Sequence, residues 1–106
     1  MTRRKAPVSL RAQDVPALHA FCRGYLHEDA IAAYGSAAGA VAAFRADAGP
    51  DEVTAAAREW SQFLQKMEGQ PLAAIRSTLA RSLGASWHPV TRKEIDAVTA
   101  AFGARS

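Results

Sequence analysis

Gly49-Pro50-Asp51-Glu52-Val53-Thr54-Ala55-Ala56-Ala57-Arg58-Glu59-Trp60-Ser61-Gln62-Phe63-Leu64-Gln65-Lys66-Met67-Glu68-Gly69 is the stretch that decides the fold. Val53, Ala56, Trp60, Phe63, Leu64 and Met67 recur at helical spacing, so a helix here carries one apolar stripe. Asp51 and Glu52 fall near its positive end, where carboxylates are favoured. Gly49-Pro50 separates it from the segment before, and Gly69 stops it. A helix with one apolar face has to bury that face against other elements.

The flanking segments supply them. Upstream, Ser36 is a good N-cap after Gly35, and Ala37, Ala40, Val41, Phe44 and Ala48 line a second helix whose small residues allow close approach. Further upstream, Asp14 reads as an N-cap, Pro16 fits a first turn, and Leu18, Phe21, Cys22 and Tyr25 share a face. That helix is expected to end shortly after Leu26, and the link to Tyr34 has room for another turn. Downstream, Pro71 opens a helix with Leu72, Ile75, Leu79 and Leu83 inward and Gly84 closing it. Thr91-Arg92-Lys93-Glu94 has the pattern of a capping box, followed by Ile95, Val98 and Phe102. No strand pattern, repeat or low-complexity linker interrupts the series. The expectation is an all-α, compact single-domain bundle of about five helices over residues 14–106, preceded by a flexible basic tail over residues 1–13.

Composition agrees. A chain of 106 residues with 49% hydrophobic residues can fill one core, though much of that fraction is alanine. No apolar run approaches a membrane span, and Arg3, Arg4 and Lys5 are not followed by the apolar stretch of a secretory signal. One cysteine makes no internal disulfide. These features lead us to expect a cytoplasmic protein without a membrane role.

The net charge of +3 is unevenly distributed. Residues 1–27 carry five basic groups and one acid, and residues 60–106 carry six basic groups and three acids. Between them, Glu28, Asp29, Asp47, Asp51, Glu52 and Glu59 face only Arg45 and Arg58, a local net of −4. An acidic middle is either a solvated face balanced in space by the basic helices or a surface for a basic partner.

The most distinctive local composition is Phe21 to Ser36. Gly24, Tyr25, His27, Glu28, Asp29 and Tyr34 fall within eleven positions, and Gly35-Ser36 follows. One reading is structural: His27 and Asp29 hydrogen-bond backbone groups or each other at a buried corner while the tyrosines pack their rings. The other displays the same groups to a partner, since tyrosine is enriched at binding hot spots.

Gly24-Tyr25-Leu26-His27-Glu28-Asp29, then Tyr34-Gly35-Ser36 and the alanine-rich helix to Phe44, resembles the small helical immunity proteins of contact-dependent growth inhibition systems. The resemblance extends to Pro50-Asp51, Leu83-Gly84 and Trp87-His88-Pro89 and covers roughly residues 15–102. Ala30 stands where that family often has an aromatic residue, and Ala97-Val98 where it often has Trp-Leu. The resemblance implies a protein that binds and neutralises the C-terminal toxin domain, often a nuclease, of a contact-dependent inhibition effector. Such a function needs no cofactor, metal or small-molecule substrate. A surface that holds phosphates is basic, so Glu28, Asp29, Asp47, Asp51 and Glu52 are the expected toxin contacts. Gly24, Tyr25, His27, Tyr34, Gly35 and Ser36 form the accompanying structural motif.

Catalytic and metal chemistry find little support. His19 and Cys22 are three apart, with His27 and Asp29 nearby, but zinc needs three or four converging ligands and Cys22 lies on the apolar face. No phosphate loop or nucleophile elbow is present. The alternative function is DNA binding. Leu79-Ala80-Arg81-Ser82-Leu83-Gly84-Ala85-Ser86 with Val90-Thr91-Arg92 resembles a helix-turn-helix. Ala80, Gly84 and Val90 fall at the small, turn and anchor positions, and Arg76, Arg81, Arg92 and Lys93 are available for phosphates. Pro89 stands against it, because it falls in the first turn of the helix that has to read bases.

Overall fold

The computed structural model describes residues 10–103, apart from the side chains of Glu28 and Ala30. Six α-helices occur among them: α1 (Pro16–Tyr25), α2 (Glu28–Tyr34), α3 (Ala37–Asp47), α4 (Pro50–Lys66), α5 (Leu72–Arg81) and α6 (Arg92–Gly103). The all-α architecture agrees with the apolar periodicity. The helix beyond the expected five is α2, built on the link from Asp29 to Tyr34.

α4 presents Ala56, Trp60, Phe63 and Met67 to the core, with Val53 and Leu64 half-buried at the edges. α1, α3 and α6 pack on it, and α3 packs most closely on α6. Trp60 is the hub. Its ring lies 5.3 Å from Phe63, 6.0 Å from Phe102 and 6.4 Å from Trp87. Its indole Nε1 donates to Thr99 Oγ1 on α6 at 2.9 Å, so the largest core residue brings its own polar atom to a partner.

α1 begins differently from its sequence signal. Asp14 belongs to a 3₁₀ turn, Ala12–Asp14, and its carboxylate accepts from Arg11 N at 3.0 Å. The N-cap position is Val15, which has no side chain able to cap. Glu59 of α4 does that work from 41 positions away: its Oε1 accepts from Leu18 N at 2.9 Å. Glu59 is only 8% exposed, and among the described residues it is the one acid of the middle segment found in the interior. Leu10, within the expected tail, is 6% exposed and joins the core cluster. The rest of the expected tail, residues 1–9, lies outside the described residues.

Between α5 and α6 the chain is extended. Gly84, at φ +66°, turns it out of α5, and Ala85 N reaches back to Leu79 O at 2.9 Å. Leu83, Ala85, Trp87 and Pro89 then point inward while Gly84, Ser86, His88 and Val90 point out, the two-residue alternation of a strand. Ser86 N donates to Leu26 O at 2.7 Å, which ties this segment to the end of α1. Arg76 Nη1 donates to Pro89 O at 3.1 Å and Arg92 Nη2 to Gln70 O at 2.9 Å. The capping box at Thr91 is visible from the Glu94 side, whose carboxylate accepts from Thr91 N at 3.0 Å and Val90 N at 2.7 Å.

Candidate functional site

Phe21 to Ser36 folds into a helix, a corner, a second helix and a turn. α1 ends at Tyr25, with Leu26 as its buried C-cap. His27 is exposed, and its carbonyl accepts from Ile31 N at 3.0 Å, opening α2. His27 and Asp29 are exposed at this corner, where the structural reading expected burial; Leu26 is the residue that is buried there. α2 stops at Gly35, whose φ of +83° suits only glycine without strain. Ser36 then caps α3, its Oγ accepting from Gly39 N at 3.0 Å. Gly39 itself is part of the joint: a Cβ there would collide with the Tyr34 carbonyl. Gly24 needs no such freedom, since a Cβ there meets open space.

The turn brings the two tyrosines together. Tyr25 and Tyr34 stack with centroids 6.1 Å apart and planes 21° from parallel. Tyr25 also stacks on Phe21 at 5.8 Å and meets Phe44 edge-on at 5.4 Å. Phe21 continues inward to Phe102 at 5.3 Å. An aromatic series thus runs from the core to a surface on which Tyr34 is 40% exposed.

Carboxylates edge this series. Tyr25 Oη donates to Asp47 Oδ2 at 3.1 Å, joining α1 to the last residue of α3. Partial burial, then this hydrogen bond and the charge of Asp47, raise the Tyr25 phenol above its ordinary value of 10.0, with smaller effects from Tyr34 and Glu52. Asp51 and Glu52 follow in the exposed first turn of α4. Among the described residues, neither has a hydrogen-bond or ion-pair partner. A cleft of about 370 Å³ lies between α1, α3 and α4, lined by Pro16, Ala17, Ala20, Phe21, Tyr25, Phe44 and Glu52.

Three of the five expected contact acids, Asp47, Asp51 and Glu52, lie at the α3–α4 junction, and two of them, Asp47 and Glu52, act on Tyr25. Asp29 is exposed on α2, five residues from Tyr34 and so about 7.5 Å away along the axis. The Glu28 side chain lies outside the described residues. The cleft floor, Phe21 and Phe44, was legible only as core, because apolar periodicity does not distinguish a buried ring from one at the base of a cleft.

The groups weighed for other chemistry are dispersed. Cys22 is buried among apolar neighbours, which pushes its thiol up to about 12. Among the described residues, no three His, Cys, Asp or Glu side chains are grouped to hold a metal, and no helix is long and apolar enough to cross a membrane. The α5–α6 region departs from a helix-turn-helix. Val90, at the anchor position, is 71% exposed, and ten residues separate the helices. Arg76 and Arg92 hold loop carbonyls, leaving Arg81 and Lys93 as exposed cations without such bonds. No family model, curated protein or solved structure matches this chain.

Proposed function

We propose that this chain is a cytoplasmic immunity protein that binds and neutralises the toxin domain of a contact-dependent growth inhibition effector. The observation that carries the reading is the Tyr25 site. In the segment that resembles the immunity family, Tyr25 stacks on Tyr34 and donates to Asp47, and Asp51 and Glu52 follow at the start of α4. Rings fixed by packing present a large contact area at little entropic cost, and fixed carboxylates favour a basic partner. Inhibition by such a surface is stoichiometric: the bound protein covers a phosphate-holding face and excludes the substrate. The acids are weighted towards the α3–α4 junction, with Asp29 peripheral.

The test is co-expression with the toxin domain encoded immediately upstream, followed by a growth assay and a pull-down. The expected result is rescued growth and a stable one-to-one complex. Absence of both, with salt-sensitive retention on DNA, overturns the proposal and restores the DNA-binding alternative.

A further inference from the structure

We infer that residues 70–83 form a latched strap that opens as one unit while the remaining helices stay packed. The inference does not depend on the partner-binding reading above. α1 packs on α4, α3 on α6, α2 on α3, and α4 on α6. Among the described residues, α5 enters no comparable pairing with another helix. It buries only Ile75 and Leu79 and carries no aromatic ring, whereas α4 buries Trp60 and Phe63 and α6 buries Phe102.

The strap is bounded at both ends by glycines with positive φ, Gly69 at +81° and Gly84 at +66°. Glycine populates both signs of φ, so each can take up a backbone rotation that a residue with a Cβ resists. A few positions at element ends serve as the hinges of moving segments. Two guanidinium bonds latch the strap to chain beyond the second hinge. Arg76 Nη1 donates to Pro89 O at 3.1 Å, and Arg92 Nη2 donates to Gln70 O at 2.9 Å. Ala85 N adds a bond to Leu79 O at 2.9 Å. The chain after Gly84 is fixed separately, because Ser86 N donates to Leu26 O and the Trp87 ring lies 6.4 Å from Trp60. Once released, the strap has little to keep it helical. α5 has ten residues and no side-chain cap at Pro71, and isolated helices shorter than about 12–15 residues are marginal in water. Opening therefore exposes the α5 amides to solvent together.

Native-state hydrogen exchange of the whole chain reads this opening. The amides of Arg76, Ser77, Thr78 and Leu79 are expected to share one level of protection, roughly a hundredfold below that of Phe63, Leu64 and Val98. Their exchange is also expected to rise less steeply with low urea, because the opening exposes less surface than global unfolding. Arg76→Met removes the latch donor and keeps a long side chain of similar helix propensity. It is expected to lower α5 protection about tenfold and to leave α4 and α6 unchanged. One protection level and one urea slope for α5 and α4 alike, unrelated rates among the α5 amides, faster exchange of α4 and α6 in Arg76→Met, or indifference of α5 to that change each overturn the latched strap.

Discussion

The carboxylate of Glu59 on α4 accepts a 2.9 Å hydrogen bond from the backbone amide of Leu18, the third residue of α1. A helix start leaves its first amides without intrahelical partners, and a side chain near the start usually satisfies one of them. Here the start of α1 is instead held by a helix it packs against, so its end depends on tertiary contact rather than on a local cap. Removing the acceptor leaves a buried amide unpaired. Glu59→Ala is expected to destabilise the protein by about 1–3 kcal/mol, and Glu59→Gln, which keeps a carbonyl oxygen, by less. Urea unfolding monitored by the fluorescence of Trp60 and Trp87 checks the order. Equal, small effects of both changes would show that the contact contributes little.

Glycines at two helical positions separate packing from propensity. Gly39→Ala brings a Cβ against the Tyr34 carbonyl, and a backbone atom cannot step aside cheaply. Gly24→Ala meets open space on α1. Alanine is favoured over glycine in a helix interior by roughly 0.8–1 kcal/mol, and somewhat less near an end. Gly24→Ala is therefore expected to raise the melting temperature by a few degrees, and Gly39→Ala to lower it and loosen the Tyr25–Tyr34 stack. Thermal unfolding gives the signs, and tyrosine ring shifts report the stack.

Cys22 supplies a pH test. Its thiol is raised from 9.0 to about 12 by burial, so the folded state holds the proton where the unfolded chain releases it. The associated stability is fully present below pH 9 and is lost as pH rises towards 12. The limiting slope is about 1.4 kcal/mol per pH unit. The stability gap between the natural chain and Cys22→Ala is thus expected to change with that sign above pH 9 and to stay flat below it. Parallel pH curves for the two proteins would place the thiol in a wetter site than its burial indicates.

Much of this architecture was legible because apolar periodicity is local. The inward sides of α4 and α6 are those read from Val53 to Met67 and from Ile95 to Phe102. Ser36 caps α3 as its position suggested. The misreadings share one cause, a partner distant in sequence. Asp14 looks like a cap until Glu59, 41 residues from Leu18, is seen in that role. Leu83, Ala85, Trp87 and Pro89 alternate as a strand does, yet the flanking helix signals suggested a helix-turn-helix. Of the candidate site, the residue types and the acidic bias were readable. Their grouping around Tyr25 was not, because it depends on how α1, α3 and α4 meet.

Val90 and Trp87 distinguish the extended connection from a helix-turn-helix. At 71% exposure, Val90→Ser is expected to stay within about 0.5 kcal/mol of the natural stability, as exposed positions usually do. Trp87 is 6% exposed and packs 6.4 Å from Trp60. Trp87→Ala is expected to cost about 3–5 kcal/mol. A large loss at Val90 in chemical denaturation would mean that its side chain anchors a buried helix junction.

The final prediction concerns the partner. Asp51 and Glu52 are exposed, adjacent and in the first turn of α4, so reversing both leaves the core untouched while inverting the local field. The fold carries a small cost, because carboxylates there favour the helix dipole by about 0.3–1 kcal/mol each. Association with the proposed basic toxin surface is expected to be affected more strongly, since long-range charge sets the encounter rate and salt screens it. The double change Asp51→Lys, Glu52→Lys is expected to slow association at least tenfold at low salt and to flatten its salt dependence, while a matched reversal of Arg81 and Lys93 does neither. Stopped-flow or surface-binding kinetics at two ionic strengths decide the matter. If the α4 reversal binds as fast as the natural chain and the Arg81–Lys93 reversal does not, the interface belongs on the α5–α6 side, and the Tyr25 cleft is a feature of packing alone.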